Sequence, residues 1–145
     1  MSDRPREGLS HTRRIEVSWG DCDAAGIVFY PRYYAWFDAG THALLAAAGL
    51  DHRTLRDRYG VVGASLVQTS ARFASPATYD DVLTATSRVV KIGRSSFTVS
   101  HRLLLGDRLV TEGEETRVWV EPSADAPHGM RAAAIPDAVR AVLAG

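Results

Sequence analysis

The chain has 145 residues, 46% of them hydrophobic, with 17 Lys plus Arg against 17 Asp plus Glu. That length and apolar share support one domain with a real core and exclude a disordered chain; the even charge excludes non-specific nucleic-acid binding, which needs a basic excess. The single Cys22 excludes an internal disulfide framework, the first residues hold no apolar signal-peptide core, and no run approaches the roughly 18 apolar residues of a membrane span, so a cytoplasmic setting is expected.

Residues 1–12 are polar, contain Pro5 and Gly8, and are expected to form a loose tail before a domain over 13–145. Arg13 to Trp19 alternates, with Ile15, Val17 and Trp19 on one side and Arg14, Glu16 and Ser18 on the other, which predicts a half-buried strand. An acidic turn, Gly20 to Gly26, leads to a long helix that opens at Pro31 and stops at Gly49. Within it Tyr33, Phe37, Gly40, Leu44 and Ala47 follow helical spacing, and Tyr34, Trp36, Leu45, Ala46 and Ala48 make the other sides apolar too. A helix apolar nearly all round is a buried helix, so another element must wrap it.

Asp51 to Tyr59 reads as a short second helix with Leu55 inward and Gly60 past its end. After Gly60 the period becomes two. Strands are expected over Val61 to Phe73, Val82 to Ile92, Ser95 to Leu105 and Arg108 to Glu121, the last pair joined by a Gly106-Asp107 hairpin turn. Pro122 to Met130 reads as a loop and Pro136 to Leu143 as a closing helix. The order strand, long helix, short helix and four strands predicts an α+β fold in which a five-stranded antiparallel sheet wraps the long helix. Its long open edges predict pairing with a second copy.

The acidic turn is also where chemistry is expected. Asp23 stands before Tyr30, which lies at the helix start, where the first N–H groups have no partner inside the helix and the macrodipole is positive. A carboxylate beside such groups suits acyl transfer: the N–H groups hold an oxyanion while the carboxylate attacks or activates water. Asp23 acting only as a turn cap is the alternative. The string from Asp21 to Gly26 copies the first half of a calcium loop, but Ala25 and Arg32 stand where oxygen ligands are required. Cys22 reads as a small buried thiol, and His11, His52, His101 and His128 as surface or strand-face residues without metal spacing.

The segment G-D-C-D-A-A-G-I-V-F-Y-P-R-Y-Y-A-W-F-D-A resembles the signature of hotdog-fold acyl-CoA thioesterases, in particular the 4-hydroxybenzoyl-CoA thioesterase branch. The likeness continues through Ala71-Arg72-Phe73, Ala77 to Thr84, Arg94 to Phe97 and Glu115 to Val118. It implies a hydrolase without metal or prosthetic group that splits an aromatic acyl-CoA, with a broader short-chain thioesterase and a non-catalytic acyl-CoA-binding protein as alternatives. The matching positions make Asp23 the catalytic carboxylate and the Tyr30 backbone N–H the group that polarises the thioester carbonyl. Asp38 matches a contact to the ring hydroxyl; a buried pair with His42 is the competing reading, and a rival hotdog arrangement places the acid on the helix itself. Gly26 joins the substrate loop by supplying a backbone angle other residues avoid. Arg94 and Arg131 match coenzyme A contacts, although Ser95 and Gly129 stand where further basic residues are common. The family assembles with sites between subunits, which implies a homodimer or homotetramer.

Overall fold

The computed structural model describes residues 8–145. Its elements are β1 (Ser10–Glu16), a 3-10 turn (Trp19–Asp21), α1 (Pro31–Ala47), α2 (His52–Tyr59), β2 (Gly63–Phe73), β3 (Val82–Ile92), β4 (Ser96–Leu105), β5 (Arg108–Pro122), β6 (Met130–Ala132) and α3 (Asp137–Leu143). The strands form one six-stranded sheet in the order β1-β3-β4-β5-β2, with β6 paired to β5. Every pairing is antiparallel. This is the expected α+β hotdog arrangement, extended by one short strand where a loop was expected to reach Met130.

Two expectations near the start of the chain are corrected. Ser10, His11 and Thr12 pair with Arg88, Ser87 and Thr86, so they belong to β1 and not to a tail; residues 1–7 lie outside the described residues. Trp19 is 73% exposed, not inward. The strand period stops at Glu16 because the chain turns: the Ser18 N–H donates to Asp21 Oδ2 at 2.9 Å and the Cys22 N–H to the Trp19 carbonyl at 3.1 Å. Trp19 instead meets Tyr79 edge-on, with ring centroids 5.1 Å apart.

Helix α1 is also less enclosed than its composition implies. Tyr33, Phe37, Gly40, Thr41, Leu44 and Leu45 are buried, whereas Arg32, Ala35, Asp38, Ala39, Ala46 and Ala47 face outward in the single chain. Alanines raised the apolar share of that outer face without needing burial, since a methyl group gains little from it. The sheet therefore covers one side of the helix.

The core has two apolar halves with polar residues between them. One half joins Ile15, Val28, Tyr33, Phe37, Leu83, Leu103 and Val110; the other joins Leu44, Leu55, Val89, Phe97, Val99, Trp119 and Val139. Four elements place buried polar residues between the halves: Thr41 on α1, Ser87 on β3, His101 on β4, and Glu115 with Arg117 on β5. Helix and sheet approach closely here. A Cβ on Gly113 would lie 2.2 Å from the Ser70 carbonyl oxygen and 2.6 Å from Phe37 Cε2, and one on Gly40 would lie 2.7 Å from Ser87 Oγ. Gly113→Ala should therefore force the backbone apart and lower stability by about 1–3 kcal/mol, measured as a shift of the denaturant midpoint. An unchanged midpoint would show that helix and sheet separate freely.

Candidate active site

The loop before α1 folds back on itself. The Asp23 N–H donates to the Ile27 carbonyl at 2.9 Å, the Gly26 N–H to the Asp23 carbonyl at 3.0 Å and the Phe29 N–H to the Asp21 carbonyl at 2.9 Å. Gly26 takes a φ of +80°, the left-handed angle its place in this turn requires. Asp23 Oδ1 accepts the Ala25 N–H at 2.8 Å, so the carboxylate does cap the turn. That uses one oxygen; among the described residues Oδ2 has no hydrogen-bond partner, and the side chain lies in an exposed stretch. The loop is tied to the sheet side by the Val28 N–H on the Ala77 carbonyl at 2.9 Å and by Thr78 Oγ1 on the Gly26 carbonyl at 2.7 Å. Cys22 is half-buried, its thiol 3.8 Å from the Ser18 carbonyl.

At the helix start the donors can be followed one by one. Pro31 has no N–H. The Arg32 N–H is used by the Phe29 carbonyl at 2.9 Å and the Tyr33 N–H by the Tyr30 carbonyl at 3.1 Å. Among the described residues the Tyr30 N–H has no acceptor, and it stands at the positive end of α1. The loop that carries the Asp23 carboxylate thus ends in an unoccupied N–H.

Asp38 lies eight residues on from Tyr30, about 12 Å along the helix. Its main partner is not His42, whose Nε2 is 3.5 Å from Oδ1, but Arg117, whose Nη2 donates to the same oxygen at 2.6 Å. Behind it the same Nη2 donates to Glu115 Oε2 at 2.9 Å, and Glu115 Oε1 receives Thr41 Oγ1 and lies 3.1 Å from His101 Nε2. His101 Nδ1 is 2.8 Å from Ser87 Oγ, and its ring stacks on Phe37 at 4.9 Å. Burial would raise the Glu115 carboxyl, but the bonds from His101, Thr41 and Arg117 outweigh it and hold it down at about 2. Burial likewise lowers His42, which Asp38 only partly offsets. Sequence reasoning missed this network. Its signal was present: Glu115 and Arg117 fall on the inward phase of β5 with Trp119, where a charge is costly unless paired.

The remaining candidates are not brought to Asp23 within one chain. Arg94 follows β3 and Arg131 sits in β6 opposite Glu121; both are exposed. The Asp23 loop adjoins Ala77 and Thr78, ahead of β3, and β3 spans roughly 33 Å at about 3.3 Å per residue. An apolar cavity of about 140 Å³ lies elsewhere again, lined by Leu45, Leu50, Leu55 and Ala64 with His42 and Arg117 at its polar side. Leu45 is about 22 Å along the helix from Tyr30, so this cavity does not adjoin the Asp23 loop of the same chain.

Comparison with known proteins adds to this geometry. Residues 17–143 match the family model of the thioesterase-like superfamily. A 4-hydroxybenzoyl-CoA thioesterase of Pseudomonas sp. (strain CBS-3) is 37% identical over 117 residues, covering 76% of this chain and 82% of the relative. Its solved structure superimposes with a TM-score of 0.83 at 32% identity, over 92% of this chain and 99% of that one. A gentisyl-coenzyme A thioesterase structure gives a TM-score of 0.78 at 30% identity, over 93% and 100% of the two chains.

The Glu115 carboxyl stands below its ordinary value of 4.5 in the folded chain, so its contribution to stability is complete above that pH and disappears as pH falls toward its folded value. Glu115→Gln should be the less stable protein at neutral pH, with the difference narrowing through this acid window in denaturant melts. A gap that stays constant with pH would remove the charge on Glu115 as its cause.

Proposed function

The chain belongs to the thioesterase-like superfamily and is a thioester hydrolase, and on that footing we propose that it converts an aromatic, hydroxybenzoyl-type acyl-CoA into the free acid and coenzyme A. The observation that carries this reading is the unoccupied Tyr30 N–H on the loop whose Asp23 keeps one carboxylate oxygen free. The thioester carbonyl oxygen sits on that N–H, and the carboxylate acts on the carbonyl carbon directly or through one water. In either route negative charge grows on the carbonyl oxygen, where one preplaced donor is worth about 3–4 kcal/mol. The carbon–sulfur bond then breaks, the thiolate of coenzyme A leaves, and water supplies the second oxygen of the acid. The step calls for no metal or prosthetic group.

Two copies complete the site in this reading. Arg94 and Arg131 sit far from the Asp23 loop of their own chain, Asp38 faces outward near the middle of α1, and β2 is an edge strand with Leu66, Val67 and Phe73 exposed. Pairing of β2 edges brings the small-residue faces of two helices together, so that Asp38 meets a ring bound by the neighbour and the arginines meet its coenzyme A phosphates.

Thiol release over a panel of aroyl- and alkanoyl-CoA esters tests the substrate class; the highest kcat/KM should fall on a hydroxylated aroyl ester. Asp23→Asn should remain folded and lose at least about a hundredfold in turnover. Retained turnover in that variant would remove Asp23 from the chemistry. Asp38→Ala should mainly lose the preference for ring-hydroxylated esters, and an equal loss on every ester would instead make Asp38 the catalytic acid. Sedimentation should give a dimer or tetramer, and a fully active monomer would refute the shared site.

A further inference from the structure

Among the described residues Asp38 is the candidate whose carboxylate is held from behind by a buried charge. Its side chain is 52% exposed, while that of Arg117 is 5% exposed and that of Glu115 2%. The guanidinium has almost no freedom: Nη1 donates to the Ala64 carbonyl at 3.0 Å, Nη2 to Glu115 Oε2 at 2.9 Å and to Asp38 Oδ1 at 2.6 Å, and Nε to Glu115 Oε1 at 3.4 Å. All contacts to Asp38 fall on Oδ1; among the described residues Oδ2 is unengaged. The alternative tether, His42, is 39% exposed and at 3.5 Å lies at the limit of a hydrogen bond.

We infer that Arg117, braced by Glu115, is a positioning residue: it fixes Asp38 through Oδ1 and reserves Oδ2 as the acceptor for the hydroxyl on the acyl ring. This rests on the reading of Asp38 as the ring-hydroxyl contact. The physical case is preorganisation. A carboxylate on an outward helix face would otherwise rotate among solvated rotamers, and that freedom would be lost on every binding event. A planar guanidinium bonded to the sheet and to Glu115 removes the freedom before the substrate arrives. The arrangement also discriminates: a ring without a hydroxyl leaves Oδ2 desolvated and unpaired, which disfavours that ester more than it favours the hydroxylated one.

The test is the ratio of kcat/KM for 4-hydroxybenzoyl-CoA to that for benzoyl-CoA, in the wild-type protein, Arg117→Met, Asp38→Ala and the double variant. Arg117→Met should lower the ratio by about tenfold, the scale of one hydrogen bond to a charged group, with the loss falling on the hydroxylated ester. Added to Asp38→Ala, it should not change the ratio further. Parallel losses on both esters, or a further drop in the ratio in the double variant, would overturn the inference by making Arg117 a structural or independent contact. Where Arg117→Met does not fold, Arg117→Lys serves with the same criterion, because it keeps the charge but cannot bridge Asp38 and Glu115 through one fork. If Asp38→Ala abolishes the preference and the Arg117 variants leave it intact, only this inference fails. If Asp38→Ala leaves the preference untouched, the reading of Asp38 falls and the inference with it.

Discussion

A carboxylate buried between two apolar half-cores constrains much of this molecule. Glu115 is 1% exposed, and an isolated ion there would be prohibitively costly. Its oxygens are met by Thr41 from the helix, His101 from β4 and Arg117 from its own strand. Each partner comes from a different element or position, so satisfying one charge fixes the rotation of α1, its height over the sheet and the register of β4 against β5. Buried ion pairs are weak evidence for stability, because apolar replacements often do as well. Here the network is better evidence for geometry.

That geometry depends on bare backbone. Gly113 and Gly40 leave room for Phe37 to stack on His101 and for Ser87 to reach its other ring nitrogen. With helix and sheet this close, the guanidinium of Arg117 spans from Glu115 to Asp38 on the outer flank of the helix. The polar interior is thereby connected to the protein surface at one residue. The N-terminal end of the same helix presents a different feature, the Tyr30 N–H, left over because the first amides of a helix have no carbonyl one turn before them. One helix thus carries two polar features about 12 Å apart, both set by how its neighbours satisfy, or fail to satisfy, single polar groups.

Much of this was legible in the chain itself. The period-two stretches gave β3 its bounds and β2, β4 and β5 to within a residue or two, because alternation records which side of a strand is buried. Pro31 and Gly49 bracketed α1 because their backbone restrictions are local; the helix ends at Ala47 and Gly49 takes a φ of +80°. The loop with Asp23, Gly26 and Tyr30 was legible for the same reason, since its bonds run between residues a few positions apart. Local pattern misled in two ways: Ser10 to Thr12 looked like a tail until β3, far along the sequence, supplied their partners, and the alternation that pointed Trp19 inward was cut short by a tight turn its period does not reveal.

The amino-acid order by itself determined the elements, the turn that holds Asp23 and the helix start that leaves the Tyr30 N–H without a partner, because each depends on torsion preferences and neighbours within a few residues. The sheet order, with β2 beside β5 rather than β3, was decided only by the tertiary structure, since alternation marks a buried face but names no neighbour. So was the partner of Asp38: Arg117 is 79 residues away, and only the folded sheet brings that charge under the helix.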